Sequence, residues 1–116
     1  MVRDALAFGQ LLDDLPSAEA GEVLDTLLAR DGVRIERIVS HGQAPLDGEW
    51  YDQDTDEWVM VLHGRARLRL ENEGAARALG PGEFMFLPAH CRHRVDLTSP
   101  DEPTVWLAIH LAADSG

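Results

Sequence analysis

Two polar side chains occupy strand faces that are otherwise apolar. The two faces consist of Glu57, Val59 and Val61 in one stretch and of His93, Val95 and Leu97 in another. If both faces point into the core, a carboxylate meets an imidazole inside an apolar cavity. A buried carboxylate needs a cation or hydrogen-bond donors, because its desolvation alone is costly. Glu57 and His93 are therefore the first candidates for a functional centre.

Further residues extend this pair into a candidate metal site. Gln53 or Asp52 adds an oxygen ligand, and His110 adds a second imidazole if its side of the last strand faces inward. Oxygen and nitrogen ligands together suit zinc, iron, nickel or manganese and leave coordination positions for water or substrate. The predicted metal ligands are Gln53, Glu57, His93 and His110. The alternative is a buried polar pair, in which the carboxylate and the imidazole bond each other or water.

A small ligand in the same cavity would contact other side chains. We expect Tyr51, His90 and Trp106 to bind it: Tyr51 as an aromatic wall, His90 at the cavity entrance, and Trp106 from the strand of His110. For Tyr51, ordinary packing or a dimer contact is equally consistent with the sequence. For His90, a hydrogen bond within the loop is the alternative.

The composition limits the classes of partner. The chain has 116 residues, which is one ordinary domain. Asp and Glu number 21 against 10 basic residues, all of them Arg, and the net charge is −11. Phosphate binding depends on clustered cations, so neither nucleic acid nor an anionic membrane is an expected partner. Cys91 is the only cysteine and the first residues do not resemble a signal peptide, which predicts a reduced, cytoplasmic protein.

Residues 1–32 are expected to form an arm and a short helix that pack on the main body. The helix is predicted from about Ala18 to Ala29, with Ser17 as its N-cap and Gly32 as its stop. Its apolar face consists of Val23, Leu24, Leu27 and Leu28. The arm ahead of the helix is expected to pack through Phe8, Leu11 and Leu12.

In residues 33–116 apolar residues recur at every second position, which predicts an all-β, antiparallel domain. The stretch Arg65–Leu70 alternates charged and apolar residues without exception. It should therefore direct Ala66, Leu68 and Leu70 inward and Arg65, Arg67 and Arg69 into solvent. Short strands between evenly spaced Gly and Pro turns indicate a barrel or sandwich.

Two segments of this β domain resemble the motifs of the cupin family. Glu57-x6-Gly64 is similar to the end of the first motif, G-x5-H-x-H-x3-4-E-x6-G, and Gly82-x5-Pro88-x-His90-x2-His93 is similar to the second, G-x5-P-x-G-x2-H-x3-N. The resemblance covers about Val33 to Leu111. It implies a small antiparallel jelly-roll barrel, often dimeric, that frequently holds one divalent metal inside the barrel.

The histidine positions of the first motif depart from the family pattern. They fall on Tyr51 and Gln53 if three residues precede Glu57, or on Trp50 and Asp52 if four do. Neither register supplies a histidine. The sequence alone does not decide which of the two registers applies.

The candidate site and the family resemblance together are consistent with two kinds of function. The first is a cupin that binds a small molecule together with a divalent metal and that acts as a metal-dependent enzyme. The second is a metal-free cupin that serves as a small-ligand binding or sensing module, or as a dimeric scaffold.

Three Trp residues and an N-terminal arm favour a homodimer, because one small barrel does not easily cover that much apolar surface. The sequence names no substrate, since one barrel supports many chemistries.

Overall fold

The computed structural model describes residues 6–42 and 50–113, which form two antiparallel sheets. The strands are β1 (Val23–Arg30), β2 (Val33–Ser40), β3 (Thr55–His63), β4 (Ala66–Leu70), β5 (Arg77–Leu79), β6 (Phe84–Leu87), β7 (His93–Thr98) and β8 (Thr104–Ala112). One sheet has the order β1-β2-β8-β3-β6 and the other the order β5-β4-β7. The predicted all-β, antiparallel architecture is confirmed. No helix in the described part of the chain is long and apolar enough to span a membrane.

The helix predicted over Ala18–Ala29 is wrong. Most of this stretch belongs to β1, an edge strand that pairs with β2 from Val23 to Arg30. A bulge after Thr26 adds one residue to β1, so the leucines have a spacing that a helix would also produce. Pairing along the whole of β2 outweighs the weak local preference for a helix.

Hydrogen bonds from the side chain of Arg37 to backbone carbonyls attach the N-terminal arm to the barrel. Arg37 Nη1 donates to the carbonyl oxygens of Leu11 and Asp13 at 3.1 and 3.0 Å. Leu11 is half-buried, whereas Phe8 and Leu12 are exposed. The expected packing through Phe8 and Leu12 does not form, because Arg37 holds the chain at Leu11–Asp13 and leaves Phe8 in solvent.

The core lies between the two sheets. Val59, Val61 and Ala108 from the larger sheet pack with Ala66 and Leu68 from the smaller one. In β4 the apolar residues are buried or partly buried, while Arg67 and, just ahead of the strand, Arg65 are exposed. Arg69, also expected in solvent, is half-buried, and its guanidinium pairs with Asp96 at 2.8 Å. The predicted register of β4 is confirmed, since a shift by one residue would bury its guanidinium groups.

β2 presents a carboxylate to the interior and apolar residues to the exterior. Glu36 and Ile38 line the space between the sheets. Val33 and Ile35 lie on the opposite face, where Ile35 is paired with Ile109 of β8. The larger sheet consequently has apolar residues on both faces, and an acid from β2 enters the cavity.

A bulge in β7 decides which of its residues face the cavity. The register between β7 and β4 skips Asp96. His93 and Val95 line the cavity, but Leu97 is 47% exposed. The expected inward face of His93, Val95 and Leu97 is therefore interrupted after Val95, because one extra residue reverses the alternation of side chains.

Candidate functional site

A cavity of about 170 Å³ opens between the two sheets. The described residues around it include six of the seven predicted site residues: Tyr51, Gln53, Glu57, His93, Trp106 and His110. The other lining residues are Glu22, Leu24, Arg34, Glu36, Ile38, Val59, Leu68, Leu87 and Val95. Polar groups from both sheets thus meet in a mostly apolar pocket, which is the usual composition of a small-molecule site.

Glu57 and His93 approach each other across the cavity from opposite sheets. Glu57 is on β3 and His93 begins β7, and both side chains are buried. Glu57 Oε1 lies 3.5 Å from His93 Nε2, and His93 Nδ1 donates to the carbonyl oxygen of Cys91 at 2.9 Å. The meeting of these two residues, expected from their strand positions, is observed.

The surroundings of His93 favour its protonated form. Burial by itself lowers the pKa of His93, because it disfavours the charged imidazolium. The hydrogen bond to Glu57, the bond to the Cys91 carbonyl and the attraction of the Glu57 charge act in the opposite direction and together outweigh burial. The pKa of His93 is raised, so both ring nitrogens tend to carry protons that neighbouring oxygens accept.

His110 belongs to a second carboxylate–imidazole pair. Its Nε2 lies 3.0 Å from Oε1 of Glu36 on β2, and both residues are buried. Arg34 Nε lies 3.2 Å from the other oxygen of Glu36. His110 is also the register partner of Glu57 on β3. The cavity therefore contains two carboxylate–imidazole pairs side by side.

The structure decides the register of the residues before β3. Tyr51 and Gln53 line the cavity. Tyr51 forms a β-bridge with His93, and the two rings lie 5.5 Å apart. Asp52 instead pairs with a surface histidine, and Trp50 lies beneath Arg92. Tyr51 and Gln53 are thus the side chains at the two histidine positions of the first motif.

His90 is the predicted site residue that the structure does not bring to the cavity. Its side chain is exposed, and its Nδ1 lies 2.9 Å from Oδ1 of Asp52. The backbone of His90 has a φ of 63° and its amide donates to the carbonyl of Gln53 at 2.7 Å. These contacts match the loop hydrogen bond that the sequence left as the alternative.

Three buried polar atoms of the cavity have no hydrogen-bond partner among the described residues: Gln53 Oε1, Trp106 Nε1 and His110 Nδ1. An unpaired buried polar group costs about 1–3 kcal/mol. Such groups in native proteins generally bond ordered water or a ligand. Among these three atoms, Trp106 Nε1 is a donor and Gln53 Oε1 an acceptor, while the role of His110 Nδ1 depends on which ring nitrogen carries the proton.

These residues do not fit a tightly held transition metal. Within residues 6–42 and 50–113, no group of three His, Cys, Asp or Glu side chains stands close enough to hold a metal ion. Zinc sites in proteins use three or four ligands. Here Glu57 and His93 would be the strong ligands, with the amide oxygen of Gln53 as a weaker third. A metal would also have to displace the proton that Glu57 favours on His93 Nε2.

Sequence reasoning missed Glu36 and Arg34, which belong to the second pair. Both lie in a stretch where valine and isoleucine alternate with charged residues, and alternation alone directs the charges outward. One feature of the sequence could have cast doubt on that assignment. The opposite face of the strand also contains a charged residue, so neither face is purely apolar; its residues are Val33, Ile35, Arg37 and Val39. The choice between the two faces depends on how β2 pairs with β8.

Comparison with known proteins identifies relatives of this fold. A family model described as a cupin domain matches residues 31–110. A crystal structure from Ralstonia eutropha, of a protein provisionally named a mannose-6-phosphate isomerase, is 48% identical with a TM-score of 0.90. That match covers 93% of this chain and 100% of the other. Among curated proteins none matches the sequence.

More distant structures share the fold. A cupin superfamily protein from Desulfitobacterium hafniense has a TM-score of 0.69 at 20% identity, covering 86% of this chain and 84% of its own. A cupin family protein with a double-stranded β-helix fold from Methanocaldococcus jannaschii has a TM-score of 0.70 at 14% identity, covering 97% and 93%. At these identities the likeness concerns the architecture alone.

Proposed function

Since the chain belongs to the cupin family, we propose that it binds a small polar molecule in the cavity between its sheets. The observation that carries this proposal is the set of three buried, unpaired polar atoms on residues that line one cavity: Gln53 Oε1, Trp106 Nε1 and His110 Nδ1. A bound molecule whose polar groups reach these atoms would pair them and remove the cost of leaving them unpaired.

The size of the cavity supports a ligand larger than one water. A water molecule takes up about 30 Å³ of liquid volume, and the cavity has about 170 Å³. Its wall is largely apolar, from Leu68, Leu87 and Val95, with polar groups at a few places. A small molecule with a compact apolar body and several polar groups is complementary to this arrangement.

A divalent metal at Gln53, Glu57, His93 and His110 stays a prediction, as does a metal-dependent enzyme activity. The donor arrangement favours the metal-free alternative, because the two imidazoles are engaged with different carboxylates. The Glu57–His93 pair is the observation that keeps the metal as the second candidate. The reduced, cytoplasmic location expected from the composition also stays a prediction.

Two measurements on the purified, untagged protein test the proposal. Thermal unfolding in the presence of a library of small polar compounds should identify ligands that raise the melting temperature, and calorimetry should give their affinity. The Trp106→Phe variant should weaken this binding. The His90→Ala variant is the matched control, because His90 lies on the surface outside the cavity. Equal binding by both variants would contradict the proposed site.

Metal analysis distinguishes the two candidates. The protein is analysed as purified and again after incubation with zinc, iron, nickel and manganese. A stoichiometric metal that is lost in His93→Ala would establish the metal site. Negligible metal in every preparation, together with a bound organic ligand, would establish the metal-free binding module. A protein that binds neither would be a scaffold.

A further inference from the structure

Glu36 fixes the hydrogen-bonding character of His110. In a neutral imidazole one ring nitrogen is a donor and the other an acceptor. Glu36 Oε1 lies 3.0 Å from His110 Nε2, and an ionised carboxylate only accepts, so in a neutral His110 this contact favours the proton on Nε2. The opposite nitrogen, Nδ1, is buried, has no partner among the described residues and belongs to a cavity-lining side chain. Nδ1 is thereby left as an acceptor for a bound molecule.

The charge around the cavity is unfavourable to anions. The described lining contains three carboxylates, those of Glu22, Glu36 and Glu57. Against them stand the guanidinium of Arg34 and the imidazole of His93. One nitrogen of that guanidinium already contacts a carboxylate, because Arg34 Nε lies 3.2 Å from Glu36 Oε2. The whole chain has a net charge of −11, which adds a repulsive potential for any approaching anion. Arg34 and His93 each already face a carboxylate, so a phosphate or carboxylate would lose its water and compete with Glu36 or Glu57 for them.

We propose that Glu36 and His110 act as one unit that gives the cavity a fixed acceptor, and that the cavity therefore selects a donor-rich ligand, an amine or a polyol, over phosphates and carboxylates. The acceptors are His110 Nδ1, Gln53 Oε1 and the Glu57 carboxylate, and Trp106 Nε1 contributes one donor. A site built from buried acceptors rejects molecules that leave them unpaired. This inference rests on the proposed binding function and names the class of ligand for it.

The role of Glu36 is testable without any ligand. Nitrogen-15 NMR of the histidine side chains should show His110 with a protonated Nε2 and an unprotonated Nδ1 in its neutral form. The Nε2 proton should exchange slowly and resonate downfield, because it is buried in a hydrogen bond. Glu36→Met should abolish that signal, and Glu36→Gln, which keeps an acceptor oxygen, should restore it. A proton on Nδ1, or a signal unchanged in Glu36→Met, would overturn the assignment.

The ligand class is tested with three probes on one hexose skeleton: mannosamine, mannose and mannose 6-phosphate. We expect mannosamine or mannose to bind at least about tenfold more tightly than the phosphate, which corresponds to about 1.4 kcal/mol. Glu36→Met should reduce that binding, and the surface variant His90→Ala should not. Tightest binding by mannose 6-phosphate, or no binding by any of the three, would overturn the ligand class. Because the NMR measurement needs no ligand, its outcome is separable from a failure of the binding proposal itself.

Discussion

Glu57 and His110 are direct cross-strand neighbours on β3 and β8, yet each pairs with a different residue. Glu57 Oε1 lies 3.5 Å from His93 Nε2 on the opposite sheet, and His110 Nε2 lies 3.0 Å from Glu36 Oε1 on β2. Two carboxylate–imidazole pairs thus share one cavity without merging into a single cluster. Among the described residues, these four side chains therefore do not stand together as one group close enough to hold a metal ion.

The Glu57–His93 pair should make the stability of the protein depend on pH. The folded-state pKa of His93 lies above the unfolded value of about 6.5. Its contribution is therefore fully present below about pH 6.5 and is lost as the pH rises through the higher folded-state pKa. Urea unfolding at about pH 6 and about pH 8.5 should show the wild type losing stability relative to Glu57→Gln over this interval.

The surface residue His63 supplies the control for that experiment. His63 Nε2 lies 3.0 Å from Glu102 Oε1, but both side chains are about half exposed. An exposed pair contributes little to stability. His63→Gln should therefore follow the pH profile of the wild type. A wild-type profile identical to that of Glu57→Gln would contradict the role assigned to the buried pair.

Replacing Trp106 by Phe should separate stability from binding. The change removes a buried donor that has no partner among the described residues, which relieves about 1–3 kcal/mol. The smaller ring loses packing of comparable size, so the free energy of unfolding should change by less than about 1 kcal/mol. Ligand affinity, measured by calorimetry, should fall.

Trp58→Phe is the matched substitution for Trp106→Phe. Trp58 stacks on Phe84 with 5.4 Å between the ring centroids, on the face of the sheet away from the cavity. It should leave ligand affinity unchanged. If Trp106→Phe instead destabilises the protein by more than about 3 kcal/mol, Nε1 has a structural partner and the donor is not available to a ligand.

Gly64 should be less replaceable than Gly82, although both have a φ of +85°. A Cβ on Gly64 would lie 2.6 Å from Thr104 Oγ1 and 2.8 Å from Thr104 Cα, whereas one on Gly82 would meet nothing within 4 Å. Gly82→Ala should cost about 1–2 kcal/mol for the left-handed backbone. Gly64→Ala should cost about 1–3 kcal/mol more, because Thr104 must move. Equal losses in urea unfolding would show that the turn relaxes without strain.

The homodimer expected from the sequence stays a prediction, and the structure supplies a surface for it. Phe84 and Phe86, on the outer face of the larger sheet, are 59% and 50% exposed. Apolar residues exposed together on one face are typical of protein interfaces. Light scattering should give about twice 12.8 kDa. Phe86→Glu should yield the monomer, and Leu97→Glu, on the other sheet, should not. A wild-type mass near 12.8 kDa would contradict the dimer.

The β character of residues 33–116 and the first pair of site residues could be predicted from the order of the residues. The alternation in β4 admits one register, since the other would bury arginines, and the structure has that register. The short strands predicted between Gly and Pro turns are also present, as two antiparallel sheets. Glu57 and His93 were identifiable because each is the polar residue on an apolar strand face. These features depend on the pattern of apolar and polar residues within a single strand, which can be read from the sequence.

The remaining features could not be predicted from local patterns, because each depends on which segments lie side by side in the fold. The stretch from Val23 became a strand since β2 was available to pair with it. Glu36 entered the cavity because pairing with β8 turned that face of β2 inward, and a bulge at Asp96 turned Leu97 outward. His110 on β8 has Glu36 as its partner because β2 pairs with β8. The alternation of residue types along a strand indicates that it has two different faces, but the contacts between strands determine which face is buried.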